Sequence, residues 1–183
     1  YGWPVAQGGS QSITNALVAT LESLGGKVVT GVKVTSLVEL GAPDVILLDT
    51  TPRGAAEILG DRLPPRVGRA YRRFRHGPAA FKVDFAIEGH IPWRNEACRK
   101  AGTLHLGGDL EEIVHTEAEI HRGNMPDRPF VLVGQQYLAD PSRSAGDANP
   151  IWAYAHVPHG HRGDATDAVI RQIERFAPGF RKQ

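Results

Sequence analysis

His156, His159 and His161 stand close together at what reads as a strand-to-loop junction, and imidazoles at such spacing can converge on a metal ion. No carboxylate sits among them, and a Gly/Pro loop does not fix the second shell that metal ligands need. A polar loop is therefore favoured and no metal site is assigned. His105, between Leu104 and Leu106, has the ionisation range for proton transfer but reads as a satisfied sheet histidine. Gly8-Gly9-Ser10 at the start of a helical pattern offers backbone N–H groups to an anion; the competing account is a tight entry to the helix. Lys82 and Asp84, two residues apart on one strand face, can pair with each other.

Several chemistries are excluded by missing spacing. Gly26-Lys27 resembles a P-loop ending, but Leu21 stands where the first glycine is needed and Val28 where the hydroxyl is needed. No Gly-x-Ser-x-Gly elbow supports a serine nucleophile. No Rossmann-type glycine fingerprint occurs, so dinucleotide binding does not follow from the usual motif. Arg66, Arg69, Arg72, Arg73 and Arg75 surround an apolar helical stripe and read as a solvated surface, not a nucleic-acid interface. With a net charge of +1 over 183 residues, no long-range field draws the chain to nucleic acid. Catalytic residues are not assignable from these patterns.

The elements that must position these groups follow from periodicity. Ile13, Leu17, Thr20, Leu21 and Leu24 share one helical face, with Gly25-Gly26 as the stop. Lys27 to Leu40, rich in valine and threonine and interrupted at Gly31, predicts two short strands or one bent strand. Val45 to Leu48 is continuously apolar and predicts a strand buried on both faces, delivering Asp49-Thr50-Thr51-Pro52 at its end, where α/β proteins bind ligands. Helical signals follow at Ala55 to Leu59, and Pro64-Pro65 opens a helix with Val67, Ala70, Tyr71 and Phe74 on one face.

Strict alternation then begins. Phe81, Val83, Phe85 and Ile87 point one way, which predicts an antiparallel or mixed sheet with one core face. Thr103 to Leu106 and a long Phe130 to Leu138 segment predict further strands, and Ile151, Ala153, Ala155 and Val157 alternate in a last one. Asp109 and Glu112 cap a helix bearing Leu110, Ile113, Val114 and Ala118 that ends near Gly123. Asp164 caps a final helix with Val169, Ile173 and Phe176 inward.

The single cysteine, Cys98, suits a reducing compartment, and a cytoplasmic location is expected. No run approaches the roughly 20 apolar residues of a membrane span, which leaves room only for peripheral membrane contact. The start at Tyr1-Gly2-Trp3-Pro4, without an initiator methionine, suggests a chain that begins inside a longer protein.

Read in order, several blocks resemble the second half of phytoene-dehydrogenase-type flavoproteins of the amine-oxidase-like FAD superfamily. They are residues 4–10 (PVAQGGS), 24–37 (LGGKVVTGVKVTSL), 44–52 (DVILLDTTP), 81–86 (FKVDFA), 101–108 (AGTLHLGG) and 172–180 (QIERFAPGF), and they span nearly the whole chain. The short link over residues 39–43 departs from the pattern, since relatives commonly carry an extra hairpin there. The resemblance implies an α+β fold, a mixed and largely antiparallel sheet covered by helices. Residues 1–60 would be an edge of the FAD-binding domain with a connecting helix, and residues 61–183 the substrate-binding domain. It implies that Val34 touches the adenine side of FAD through its backbone and that Thr50, Thr51 and Pro52 lie near the cofactor. The implied partners are an apolar small molecule and the FAD-binding domain of the same parent chain. The implied activity is that of a flavin-dependent oxidoreductase acting on an isoprenoid- or carotenoid-like substrate, with this portion inactive alone. The other reading is a non-catalytic ligand-binding or protein-interaction module. Amine oxidation would require an aromatic cage, to which Trp152 and Tyr154 could contribute.

Overall fold

A computed structural model describes residues 4–183; the expectation attached to the Tyr1-Gly2-Trp3 start lies outside the described residues. Alternation of apolar and polar side chains produces the strand β1 (Ala79–Glu88). It pairs along its whole length with β4 (Ala148–Val157), which in turn pairs with β3 (Val131–Gly134), and β3 with β2 (Thr103–Leu106). The order is β1-β4-β3-β2 and every pairing is antiparallel, so the fold is α+β and the expected mixed character of the sheet is corrected.

One face of this sheet makes the core. Ile87, Ile151, Ala153, Ala155, Val131, Val133 and Leu106 pack with Val169, Ile173 and Ala177 of the helix α5 (Thr166–Phe176) and its C-terminal extension. Residues four apart on α5 point the same way, so one stripe meets the pleat while the other side stays polar. Burial of each of the larger aliphatic side chains stabilises by about 1.5–3 kcal/mol. The expected cap at Asp164 is corrected by one residue: Ala165 holds the N-cap position without a side-chain bond, and Asp164 before it accepts from the Thr166 N–H at 2.8 Å.

The helix α4 (Leu110–Arg122) joins β2 to β3 and is capped by Asp109, which accepts from the Glu112 N–H. Its buried side is formed by Thr116 and Ile120, whereas Leu110 and Val114 are exposed. The long strand expected over Phe130 to Leu138 stops at Gly134. Gln135 leaves the extended region, its N–H donates to the Gly102 carbonyl at 2.7 Å, and a 3₁₀ turn runs over Gln136–Leu138. The Gln135 amide explains the break: it accepts from the Trp93 indole N–H and donates to the carbonyls of Cys98 and Ala101. A polar side chain this buried keeps its place by satisfying all its bonds, not by continuing a ladder.

The helix α1 (Gln11–Ser23) has the predicted extent and ends where Gly26 N–H returns to the Leu21 carbonyl. None of its residues is buried; Ile13 and Leu17 are 56% and 68% exposed, and Leu24 just beyond the helix is 82% exposed.

The chain divides into two units, one formed by residues 1–19 with 77–183 and the other by residues 20–76. The second contains the helices α2 (Pro52–Leu59) and α3 (Pro65–Arg72), which pack on each other. Neither expected strand forms there. Lys27 to Leu40 belongs to no sheet and ends in a 3₁₀ turn over Leu37–Leu40, and Val45 to Leu48, expected to be buried on both faces, leaves Leu47 91% exposed. Valine-rich sequence favours an extended backbone but cannot form a ladder without a partner strand. In α3 the stripe is shorter than predicted, because the helix ends at Arg72 and Phe74 is left exposed.

Candidate functional site

The sheet has a second, less covered face, and its chemistry is set by the odd-even alternation of β4. Trp152, Tyr154 and His156 project there opposite Asp84, Lys82 and Ala80 of β1. The Trp152 and Tyr154 rings lie 6.1 Å apart and within 12° of parallel, and His156 follows at 6.2 Å. Parallel rings along one strand make a flat wall and not a cage around a cation. Trp152 can lie flat because its neighbour on β3 is Gly134, where a Cβ would overlap the indole. Lys82 and Asp84 form an ion pair with each other, as their spacing suggests.

Against this wall lies a cleft of about 360 Å³ in which three parts of the sequence meet. Val5, Ala6, Gly9 and Ser10 form one side, Lys82, Asp84 and Trp152 come from the sheet, and Gln136 and Arg143 come from the β3–β4 connection. The Gly8-Gly9 turn is fastened to that connection by Asp140, whose Oδ2 accepts from the Gly8 N–H at 2.8 Å. Oδ1 of the same carboxylate accepts from the hydroxyl and the N–H of Ser142. The Ser142 hydroxyl first, and the Gly8 N–H after it, hold the Asp140 carboxyl below the usual carboxylate range.

Gly8 N–H is thus committed to Asp140 and Gly9 N–H to the Ala6 carbonyl, so this turn is a tight helix entry and not an open anion nest. Both glycines have positive φ, and a Cβ at Gly9 would also overlap the Arg143 guanidinium.

A second, mostly apolar cavity of about 670 Å³ lies at the other side of β2, between Trp93, Leu104, Ile113, Phe130 and Phe176, with Cys98 and His105 at its wall. Its rim carries the ion pair of Glu112 with Arg175, Nη2 to Oε2 at 3.0 Å. That bond, with the guanidinium charge, holds the Glu112 carboxyl below its ordinary range. His105 packs on the Phe130 ring, as a sheet histidine would. Of the three clustered histidines, His156 bonds Glu117 at 2.9 Å, and among the described residues no group of three His, Cys, Asp or Glu side chains converges as a metal site.

The residues assigned by resemblance to a cofactor lie in the unit of residues 20–76. Thr51 caps α2, its hydroxyl oxygen accepting from Gly54 N–H at 3.1 Å; Pro52 is the first residue of that helix; Thr50 is exposed. Val34 is half-buried in a stretch with no helix or strand. The cavity of this unit, about 630 Å³, is lined by residues 35–38, 41–43, 46 and 57–62 and includes neither Val34 nor Thr50, Thr51 or Pro52.

Sequence reasoning placed Trp152, Lys82 and Asp84 on strand faces but missed Gln136 and Arg143. The signal for Arg143 was the Asp140-Pro-Ser pattern, an aspartate-capped turn that fixes the arginine three residues after the aspartate. Gln136 carried no local signal, because its position depends on β3 ending at Gly134. Comparison with models of known families, with curated proteins and with solved structures finds no match for this chain.

Proposed function

We propose that the chain is the substrate-binding portion of an FAD-dependent oxidoreductase of the phytoene-dehydrogenase kind. The observation that carries this reading is the apolar side chains left open on residues 24–47, where Leu24, Val29, Val45 and Leu47 are all between 73% and 91% exposed. A run of such residues at the surface is the mark of an interface. Its order in the sequence is that of the FAD-domain edge in the resembling flavoproteins. In this reading the FAD-binding domain of the same parent chain covers the run, and supplies the glycines that hold the dinucleotide.

Thr50 and Val34 would then meet the cofactor only at its edge, through backbone groups, which suits a helix N-terminus and an extended stretch lacking a phosphate-binding turn. The bound flavin would supply a hydride acceptor for a C–H bond of an apolar, isoprenoid-like substrate. The chain's own part is to orient that substrate and exclude water, tasks for which the Trp152–Tyr154 wall is suited. Among the described residues no helix is long and apolar enough to cross a membrane. A cytoplasmic setting belongs to the proposal.

The same exposed run favours a second reading, a module that docks on a separate protein and has no chemistry of its own. FAD titration followed by flavin fluorescence tests the division of labour. Binding weaker than micromolar and no turnover are expected of the chain alone, and submicromolar binding would sink the idea. A reading frame without a Gly-x-Gly-x-x-Gly strand-turn-helix upstream would favour the module.

A further inference from the structure

We propose that the cleft between the Gly8-Gly9 turn and the sheet binds a small carboxylate that has a flat apolar body and a hydroxyl or amino group near the acid. The inference goes beyond the substrate reading above, because a single-ring carboxylate is not the apolar isoprenoid-like substrate, and it stands on the cleft's own geometry. Three observations set the ligand's chemistry.

Arg143 is the cleft's uncommitted cation. Lys82 is paired with Asp84, and Asp140, whose charge Arg143 feels through space without a direct bond, spends its two oxygens on Gly8 and Ser142. Among the described residues Arg143 makes no ion pair or side-chain hydrogen bond, and its guanidinium lies against the side-chain-free surface of Gly9. A planar fork so placed suits a carboxylate, which it can hold with two parallel hydrogen bonds.

Gln136 supplies the second requirement. Its side chain lines the cleft, and its Oε1 has no hydrogen-bond partner and almost no accessible surface, so a turn of the amide about its last torsion is needed to present the oxygen to the cleft. A buried amide oxygen in that condition calls for a donor, and a carboxylate alone offers none. A hydroxyl or amino group beside the acid would satisfy it.

Trp152 supplies the third. Its indole is held flat by Gly134 and by stacking on Tyr154, so the cleft has a pre-formed planar wall next to its cation. The volume of about 360 Å³ is at the small end of ligand sites, enough for a single ring with a short acidic chain.

3-Phenyllactate combines the ring, the hydroxyl and the carboxylate and serves as the probe. Titration into the whole chain, followed by the indole N–H resonance of Trp152, should give a saturable shift. 3-Phenyllactamide, which keeps the hydroxyl but not the charge, and 3-phenylpropanoate, which keeps the charge but not the hydroxyl, should each bind more weakly. Arg143→Gln should weaken phenyllactate about tenfold or more while leaving the amide unchanged, the size of one charge-assisted contact. Gln136→Leu should abolish the preference for phenyllactate over phenylpropanoate.

Arg143 is exposed, so its loss should leave the fold intact, and an unchanged amide spectrum elsewhere checks this. No saturable shift at Trp152, equal binding of acid and amide, or full affinity in Arg143→Gln would overturn the proposal. Flavin takes no part in this measurement. A failure here leaves the oxidoreductase reading where the FAD titration puts it, and a failure there leaves the carboxylate site standing or falling by these titrations.

Discussion

Residues 77–183 and residues 20–76 contain similar valine- and leucine-rich runs and use them in opposite ways. In the first, Val131, Val133 and Val169 have no exposed surface at all; in the second, Val29 and Val45 are 75% and 73% exposed. The difference lies in what each run meets. Four strands pair in one sheet whose core face α5 covers, whereas the extended stretches at 27–48 find no ladder. Hydrophobic pattern decides which residues need cover, and only partners in space decide whether they get it.

The comparison breaks most easily at Trp93. It is 1% exposed and its indole donates to Gln135, so Trp93→Ala should cost about 3–5 kcal/mol. Chemical denaturation followed by near-ultraviolet circular dichroism would measure this. A loss below about 1 kcal/mol would mean that the core of residues 77–183 is not closed in the way described.

Gln135 is the next test. Its amide joins Trp93 to the carbonyls of Cys98 and Ala101, and Gln135→Ala would strand buried partners at a cost of about 2–3 kcal/mol. Amide exchange in the 98–102 turn should accelerate with it.

Smaller is the rim pair of Glu112 and Arg175, whose side chains are 26% and 35% exposed. After allowance for solvent screening, Glu112→Gln should destabilise by less than about 1 kcal/mol at neutral pH. The Glu112 carboxyl is held below its unfolded value, so the stabilisation is fully present above the unfolded carboxylate range. It is lost as pH falls through the lowered folded value. The wild-type and Glu112→Gln stability curves should therefore converge in acid; a difference that persisted there would rule out the ion pair as its source.

The smallest expected effect sharpens the contrast. Leu24→Lys and Leu47→Lys replace side chains that are 82% and 91% exposed and should change stability by no more than about 0.5 kcal/mol. Binding of a hydrophobic dye should fall in both. A large loss of stability would show that this surface is covered in the free chain and would remove the main support for a missing domain partner.

Much of the architecture was legible because it rests on local chemistry. The cap at Asp109, the bounds of β2 and the inward set of β1 all follow from nearest-neighbour rules of capping and period-two alternation. The cleft was less so. Lys82, Asp84 and Trp152 are readable as members of one sheet face, but their meeting with Gly9 and Arg143 depends on a bond between Gly8 and Asp140 across most of the chain. The run at Val45–Leu48 was misread for the same reason, since an apolar run does not state what it will face.

From its residues alone, this chain determined the bounds of α1 and the cap of α4, which strand faces are apolar, and which chemistries lack the spacing they need. Tertiary structure alone decided that β3 stops at Gly134, that the Arg143 guanidinium lies against Gly9, and that residues 27–48 form no sheet. Capping and alternation are satisfied within a few residues, whereas burial, pairing and the fate of a charge depend on groups that only the folded backbone brings near.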